Sequence, residues 1–246
     1  MNQSRPHLFG MLAGLFLAVG LVLAAMVTTT TWLKVKNSRF INVKGLAHRD
    51  VRSDLVIWRG SFTTQAETLL AAQQQLKADA GKVAEFLQGR SITNFTFAPI
   101  AIEEMSATKK DPATGYTESV RAGYRLTQTV RVESADVDRI AQLDRETTVL
   151  VAAGVVFTTM PPNYIYTKAG EAKIEMLAEA TKDARARAEQ IASQGDVRID
   201  RLNSADQGVF QITPLHDMET SWSGVNDTSS LDKTITAVVT ATFLLK

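Results

Sequence analysis

Residues 118–133 read ESVRAGYRLTQTVRVE. Val120, Ala122, Tyr124 and Leu126 alternate with Arg121 and Arg125. A strand with one buried face requires that period of two. Upstream, Ser91 to Met105 reads as its partner strand, and the polar segment Thr108-Lys-Lys-Asp-Pro-Ala-Thr-Gly115 joins the two as a hairpin loop. Before this hairpin, Thr64-Gln-Ala-Glu67 has the pattern of a capping box. Ala66, Leu69, Gln73, Leu76, Ala80, Val83 and Leu87 then recur at spacings of three and four. This predicts a helix with one buried face, ended by Gly89. Phe40 to Leu46 and Asp50 to Arg59 read as two strands around a turn at Gly45-Leu-Ala-His48. Beyond the hairpin, a second helix is expected from Ser134 to Gly154, burying Val137, Ile140, Ala141, Val149 and Leu150. Val155 to Thr159 follows as a short strand closed by Pro161-Pro162. Residues 50–159 therefore read β-α-β-β-α-β, the ferredoxin-like order.

The C-terminal third adds one helix and three strands. Ile174, Leu177, Thr181, Ala184, Ala188 and Ile191 mark one narrow face of a helix from Lys168 to Ser193, with Gly195 as its cap. Val197 to Leu202, Gly208 to Thr213 and Thr234 to Leu245 read as strands. His216 to Lys233 is a polar connection carrying Trp222, and connections of that length are often functional. The fold class is thus α+β, with the ferredoxin-like order extended by a long helix and C-terminal strands.

The N-terminus is of another kind. Leu8 to Val27 reads LFGMLAGLFLAVGLVLAAMV and holds no charge. As a helix it spans roughly 30 Å, the thickness of a bilayer's hydrocarbon core. The apolar core of a cleaved signal peptide is shorter, about 7–15 residues, and ends in small-x-small. Ala24-Ala-Met-Val-Thr28 lacks that site, so an uncleaved transmembrane anchor is expected, with residues 1–33 as tail and anchor and 34–246 as the body. Trp32 lies where an interfacial aromatic belongs. Gly10, Gly14 and Ala18 are four apart, the spacing that lets membrane helices approach closely. Arg5 precedes the span, whereas Lys34, Lys36 and Arg39 follow it. Counted literally, these charges favour a cytoplasmic body.

Composition excludes several functions. The 246 residues contain no cysteine, so disulfides, thiolate metal sites and cysteine nucleophiles are absent. The 27 basic and 26 acidic residues nearly cancel, which argues against nucleic acid as a partner. His7, His48 and His216 are too few and too scattered for a histidine metal site. No phosphate loop, nucleophile elbow or zinc-protease helix motif occurs. Glu103 and Glu104 are adjacent on a strand and should point to opposite faces. Lys182, Arg185 and Arg187 alternate with Asp183 and Glu189 as on a solvated helix face. Trp58 reads as packing and Trp222 as an interface residue. No catalytic, cofactor-binding or metal-ligating residue is expected.

Three segments in order resemble the SIMPL-domain family: Ile41-Asn-Val-Lys-Gly45 its first strand, Ala178-Glu-Ala-Thr-Lys-Asp-Ala-Arg-Ala-Arg-Ala188 its alanine-spaced helix, and Ala237-Val-Val-Thr-Ala-Thr-Phe-Leu-Leu245 its last strand. The resemblance implies a bacterial envelope protein without a common enzymatic activity. It also implies self-assembly into a ring or cage and a link to oxidative-stress defence. It places the body in the periplasm, against the literal charge count. The expected protein is therefore a single-pass inner-membrane, non-enzymatic homo-oligomer whose partners are the lipid bilayer and its own copies. The alternative is an envelope binding module that holds a ligand or partner through the 216–233 loop.

Overall fold

The computed structural model describes residues 6–36, 39–110, 117–217 and 220–246. The uncharged stretch forms helix α1 (Pro6–Lys36). Its window Gly10–Thr30 is long and apolar enough to cross a bilayer, and none of that window is buried within the chain. Threonines in its last turns keep their hydroxyls satisfied locally: Thr28 donates to the Ala24 carbonyl at 2.9 Å and Thr30 to that of Val27 at 3.0 Å. The side chains of His7 and Trp32 lie outside the described residues.

The remaining elements are β1 (Phe40–Arg52), β2 (Leu55–Ala66), α2 (Leu69–Gln88), β3 (Phe95–Phe97), β4 (Ala101–Lys110), β5 (Thr117–Ser134), α3 (Val137–Glu146), α4 (Thr148–Ala152), β6 (Phe157–Ile165), α5 (Ala169–Gln194), β7 (Ile199–Gln207), β8 (Gln211–Pro214) and β9 (Asp232–Leu245). They form two antiparallel sheets. One has the order β1-β9-β7, with β8 also on β9; the other has the order β3-β5-β2-β6, with β4 also on β5. The chain divides into two compact units, one of Met1–Leu46, Ala178–Gly208 and Val238–Lys246, the other of Ala47–Leu177 and Val209–Ala237.

The larger unit confirms the βαββαβ order. Hairpin strand β5 inserts antiparallel between β2 and the β3/β4 pair, which splits the βαβ crossover as that order requires. The inward positions of β2 (Val56, Trp58 and Phe62) and of β5 (Leu126, Val130 and Val132) meet Leu76, Val83 and Leu87 of α2 and Ile140, Leu143 and Leu150 of α3 and α4. The buried Trp58 ring keeps its polar handle satisfied, with Nε1 donating to Asp144 at 2.8 Å. Phe157 stacks beside it at 6.0 Å.

Several boundaries differ from the sequence reading. Helix α2 begins at Leu69 behind Thr68, whose hydroxyl accepts from the Ala71 amide. Thr64 is still in β2, and its buried hydroxyl donates to the Ala72 carbonyl at 3.0 Å. The second helix is two, α3 and α4, joined at Thr147, and Val149 faces outward. Strand β6 does not stop at Pro161-Pro162. It is an edge strand paired only with β2, so missing amides on its open side cost no ladder bond. The two prolines are absorbed in a register shift, where Ile57 opposes Asn163 but Arg59 opposes Met160. The tip of the β4–β5 hairpin, 111–116, lies outside the described residues.

In the smaller unit, β1 runs straight through the segment read as a turn, and the chain reverses at Ser53 and Asp54 instead. Gly45 is there for another reason. A Cβ on it would lie 2.0 Å from the Ala180 carbonyl oxygen and 2.5 Å from the Ala184 nitrogen. Strand and helix backbones touch, which only glycine against alanine allows. The Leu46 amide completes the seam by donating to Asp183 at 2.8 Å. Along α5 the fully buried residues are Ala172, Met176, Ala180, Ala184, Ala188 and Ala192, every fourth position. The expected face was wrong at its ends: Ile174 and Ile191 are 72% and 55% exposed.

Candidate interaction site and membrane anchor

The connection from His216 to Lys233 is held from below by one buried side chain. The Gln211 amide, on β8, donates from Nε2 to the Ser221 carbonyl at 2.8 Å and accepts at Oε1 from the Val225 amide at 2.7 Å. Backbone bonds extend this frame: Ile212 N–H donates to the Val225 carbonyl, and Asp227 N–H donates back to Ile212. Gly224 takes a positive φ of 88°, and a Cβ there would sit 2.9 Å from the Phe210 carbonyl oxygen. Small hydroxyl side chains flank the tip, with Ser221 and Ser223 in contact at 3.0 Å. At the tip stands Trp222, fully exposed.

Further along, Asp227 and Lys233 form a buried ion pair at 3.2 Å, with 6% and 1% of their side chains exposed. Burial opposes ionisation of Asp227, but hydrogen bonds from Ser229, Ser230 and Lys233 outweigh it and hold the carboxyl far below the ordinary carboxylate range. Lys233 also donates to the Asp227 carbonyl. It occupies an inward position of β9, in line with Ile235 and Ala237. The segment then caps neighbouring backbone: Thr228 accepts from the Tyr164 amide and Leu231 from the Ser53 amide. What reads as a long polar loop is a tied segment that presents one indole.

The other predicted positions fall as follows. A Cβ added to Gly10 or Gly14 would meet nothing within 4 Å, and Ala18 is exposed, so this face of α1 is open. Glu103 and Glu104 do not cooperate: each pairs across the hairpin, with Arg125 at 2.9 Å and Arg121 at 2.6 Å. Arg185 and Arg187 pair with Glu189 and Asp183 one turn away, as a solvated face does. His48 is an exposed residue of β1, and His216 has a left-handed backbone at φ 66°. Among the described residues no group of three His, Asp or Glu is placed to hold a metal ion. Asp54, read as a strand residue, lies in the turn and accepts from the Thr167 amide and hydroxyl just before α5. Its burial works against charge, yet these bonds lower its pKa. Sequence reasoning missed Gln211, Asp227 and Lys233, because nothing in their spacing marks partners reached through a loop.

These features define an α+β body built on a glycine–alanine seam, behind an apolar helix compatible with a membrane anchor. The family comparison agrees, and the chain belongs to the SIMPL family, described as a protein of unknown function (DUF541), which matches residues 41–243. No curated protein matches the sequence. Among solved structures, one titled "putative aminohydrolase" from methicillin-resistant Staphylococcus aureus shares 13% identity over 58% of this chain, with a TM-score of 0.23. The chain spans 39% of that protein's length.

Proposed function

We propose that this protein is a membrane-anchored, non-enzymatic SIMPL protein of the bacterial inner membrane, whose periplasmic body assembles into a homo-oligomer that serves envelope or oxidative-stress protection. The observation that carries the reading is the direct succession of a bilayer-length apolar helix and a family body, with Lys36 of α1 and Phe40 of β1 four residues apart. Self-association is supported by the apolar side chains the body leaves in water, among them Ile174 and Ile191 on α5, together with the exposed β4–β5 hairpin. A two-stranded ribbon is marginal in water by itself. Flotation with vesicles, followed by mass measurement of the full chain in mild detergent, tests both parts. A protein that floats and has the mass of a closed multimer is expected; a monomer at micromolar concentration would refute assembly. Protease added to spheroplasts tests the side, and a fully protected body would place it in the cytoplasm.

The second reading, a binding module, rests on the 216–233 segment. Its frame fixes the indole of Trp222 before any partner arrives, and such preorganisation reduces the entropic cost of binding.

A further inference from the structure

We infer that Trp222 docks the body onto the bilayer that α1 enters, its indole lying in the headgroup layer. The inference rests on reading α1 as an anchor. Trp58 is buried, whereas Trp222 is 101% exposed on a fixed tip. An indole joins an apolar ring to one N–H donor, which suits it to the boundary between lipid tails and water. Residues 220–225 are Thr-Ser-Trp-Ser-Gly-Val and carry no charge that would resist entry into that layer. The frame beneath is rigid, through Gln211 and the sterically closed Gly224, so little order remains to be lost on docking.

Area argues against a protein as the occupant. A tryptophan side chain offers at most about 250 Å². Val209 and Leu215 add only part of their surfaces, at 44% and 37% exposure. A stable protein interface takes roughly 800 Å² from each partner. A contact this small is effective where its target is already at high local concentration, as it is for a tethered chain. The tether is short. From Thr30, the end of the apolar window, helix α1 continues to Lys36, about 9 Å at the helical rise. From Lys36 to Phe40 the chain reaches about 14 Å at most. The body is thereby confined to the membrane surface.

The test uses the full chain at one copy per phosphatidylcholine nanodisc. In a Trp32→Phe background, emission lost on adding Trp222→Phe belongs to Trp222. The expected result is a shift of that emission to shorter wavelength, quenching by acyl chains brominated near the glycerol, and protection from acrylamide. Water-like emission that acrylamide quenches and brominated lipid does not would overturn the inference. Protection that appears only at two copies per disc, without bromolipid quenching, assigns Trp222 to a second copy and overturns it as well. Flotation separates the two levels. A chain that does not float with vesicles removes the anchor reading and this inference together. A chain that floats with a solvent-exposed Trp222 removes this inference alone.

Discussion

Replacing Gly45 by alanine adds one methyl group at the tightest point of the smaller unit. The new Cβ would stand 2.0 Å from the Ala180 carbonyl oxygen, where ordinary contact begins near 3.4 Å. The obstacle is helix backbone, which cannot swing aside as a side chain does. Strand and helix must therefore part by more than 1 Å. A gap of that size forfeits up to about half the dispersion energy of the atoms along the seam. Overpacking of this kind costs about 1–3 kcal/mol. Separation also stretches the 2.8 Å bond from the Leu46 amide to Asp183, for which about 1 kcal/mol is fair at a partly exposed site. The expected loss is about 3 kcal/mol, or roughly 6–12 °C in Tm for a chain of this size. The assay is thermal and urea unfolding of the full chain in mild detergent. Gly81→Ala is the control, since open space surrounds that helical position. It should hold or raise stability by up to about 1 kcal/mol. The double variant Gly45→Ala/Ala184→Gly should not recover, because the closest atom is the Ala180 carbonyl. A Gly45→Ala protein within about 1 kcal/mol of the parent, or full rescue by Ala184→Gly, would refute the seam.

Asp227→Asn should cost about 3 kcal/mol at neutral pH, because Lys233 is left buried without its counter-charge. The folded pKa of Asp227 lies below its unfolded value, so its contribution is complete above about pH 4 and is lost as pH falls through the folded pKa. Urea midpoints from pH 7 to pH 2 should therefore fall less steeply in the variant. Trp222→Ala should leave Tm within about 1 °C by calorimetry, since the ring packs on nothing, so its effects on docking can be read apart from folding. Gly14→Ile should weaken association of the isolated membrane segment in a two-hybrid reporter, because the open Gly10–Gly14–Ala18 face is the one that admits close approach.

Strands whose two faces differ in environment were legible. In β9 burial alternates without a break from Lys233 to Phe243, and in β5 the inward set includes Leu126, as the period of two predicts. Misreadings arose where size was taken for burial. On α5 the large residues Ile174 and Ile191 seemed to define the inner face, yet close approach to β1 selects the smallest side chains. Gly45 was read as a turn residue because glycine serves turns and close contacts alike, and only the partner helix distinguishes them. Pro161-Pro162 reads as a stop unless the strand is known to lie at an edge. At the interaction site, exposure of Trp222 was legible from its polar setting. The frame was not. Gln211 and Lys233 are polar residues at buried positions, and their partners become visible only when the segment between them is folded.

The alanine row of α5 also constrains how the gene can change. Ala180, Ala184, Ala188 and Ala192 keep one face only while the count between them is preserved. One codon inserted between Arg185 and Arg187 would turn everything downstream by about 100°. Arg187 and Ile191 would then lie where Ala188 and Ala192 belong. Substitutions on the outer face, where Arg185 and Glu189 merely pair in solvent, disturb nothing beneath. Lineages of this protein should therefore vary freely in residue identity along the outer surface of α5 while holding its length constant, a surface helix with the indel intolerance of a buried one.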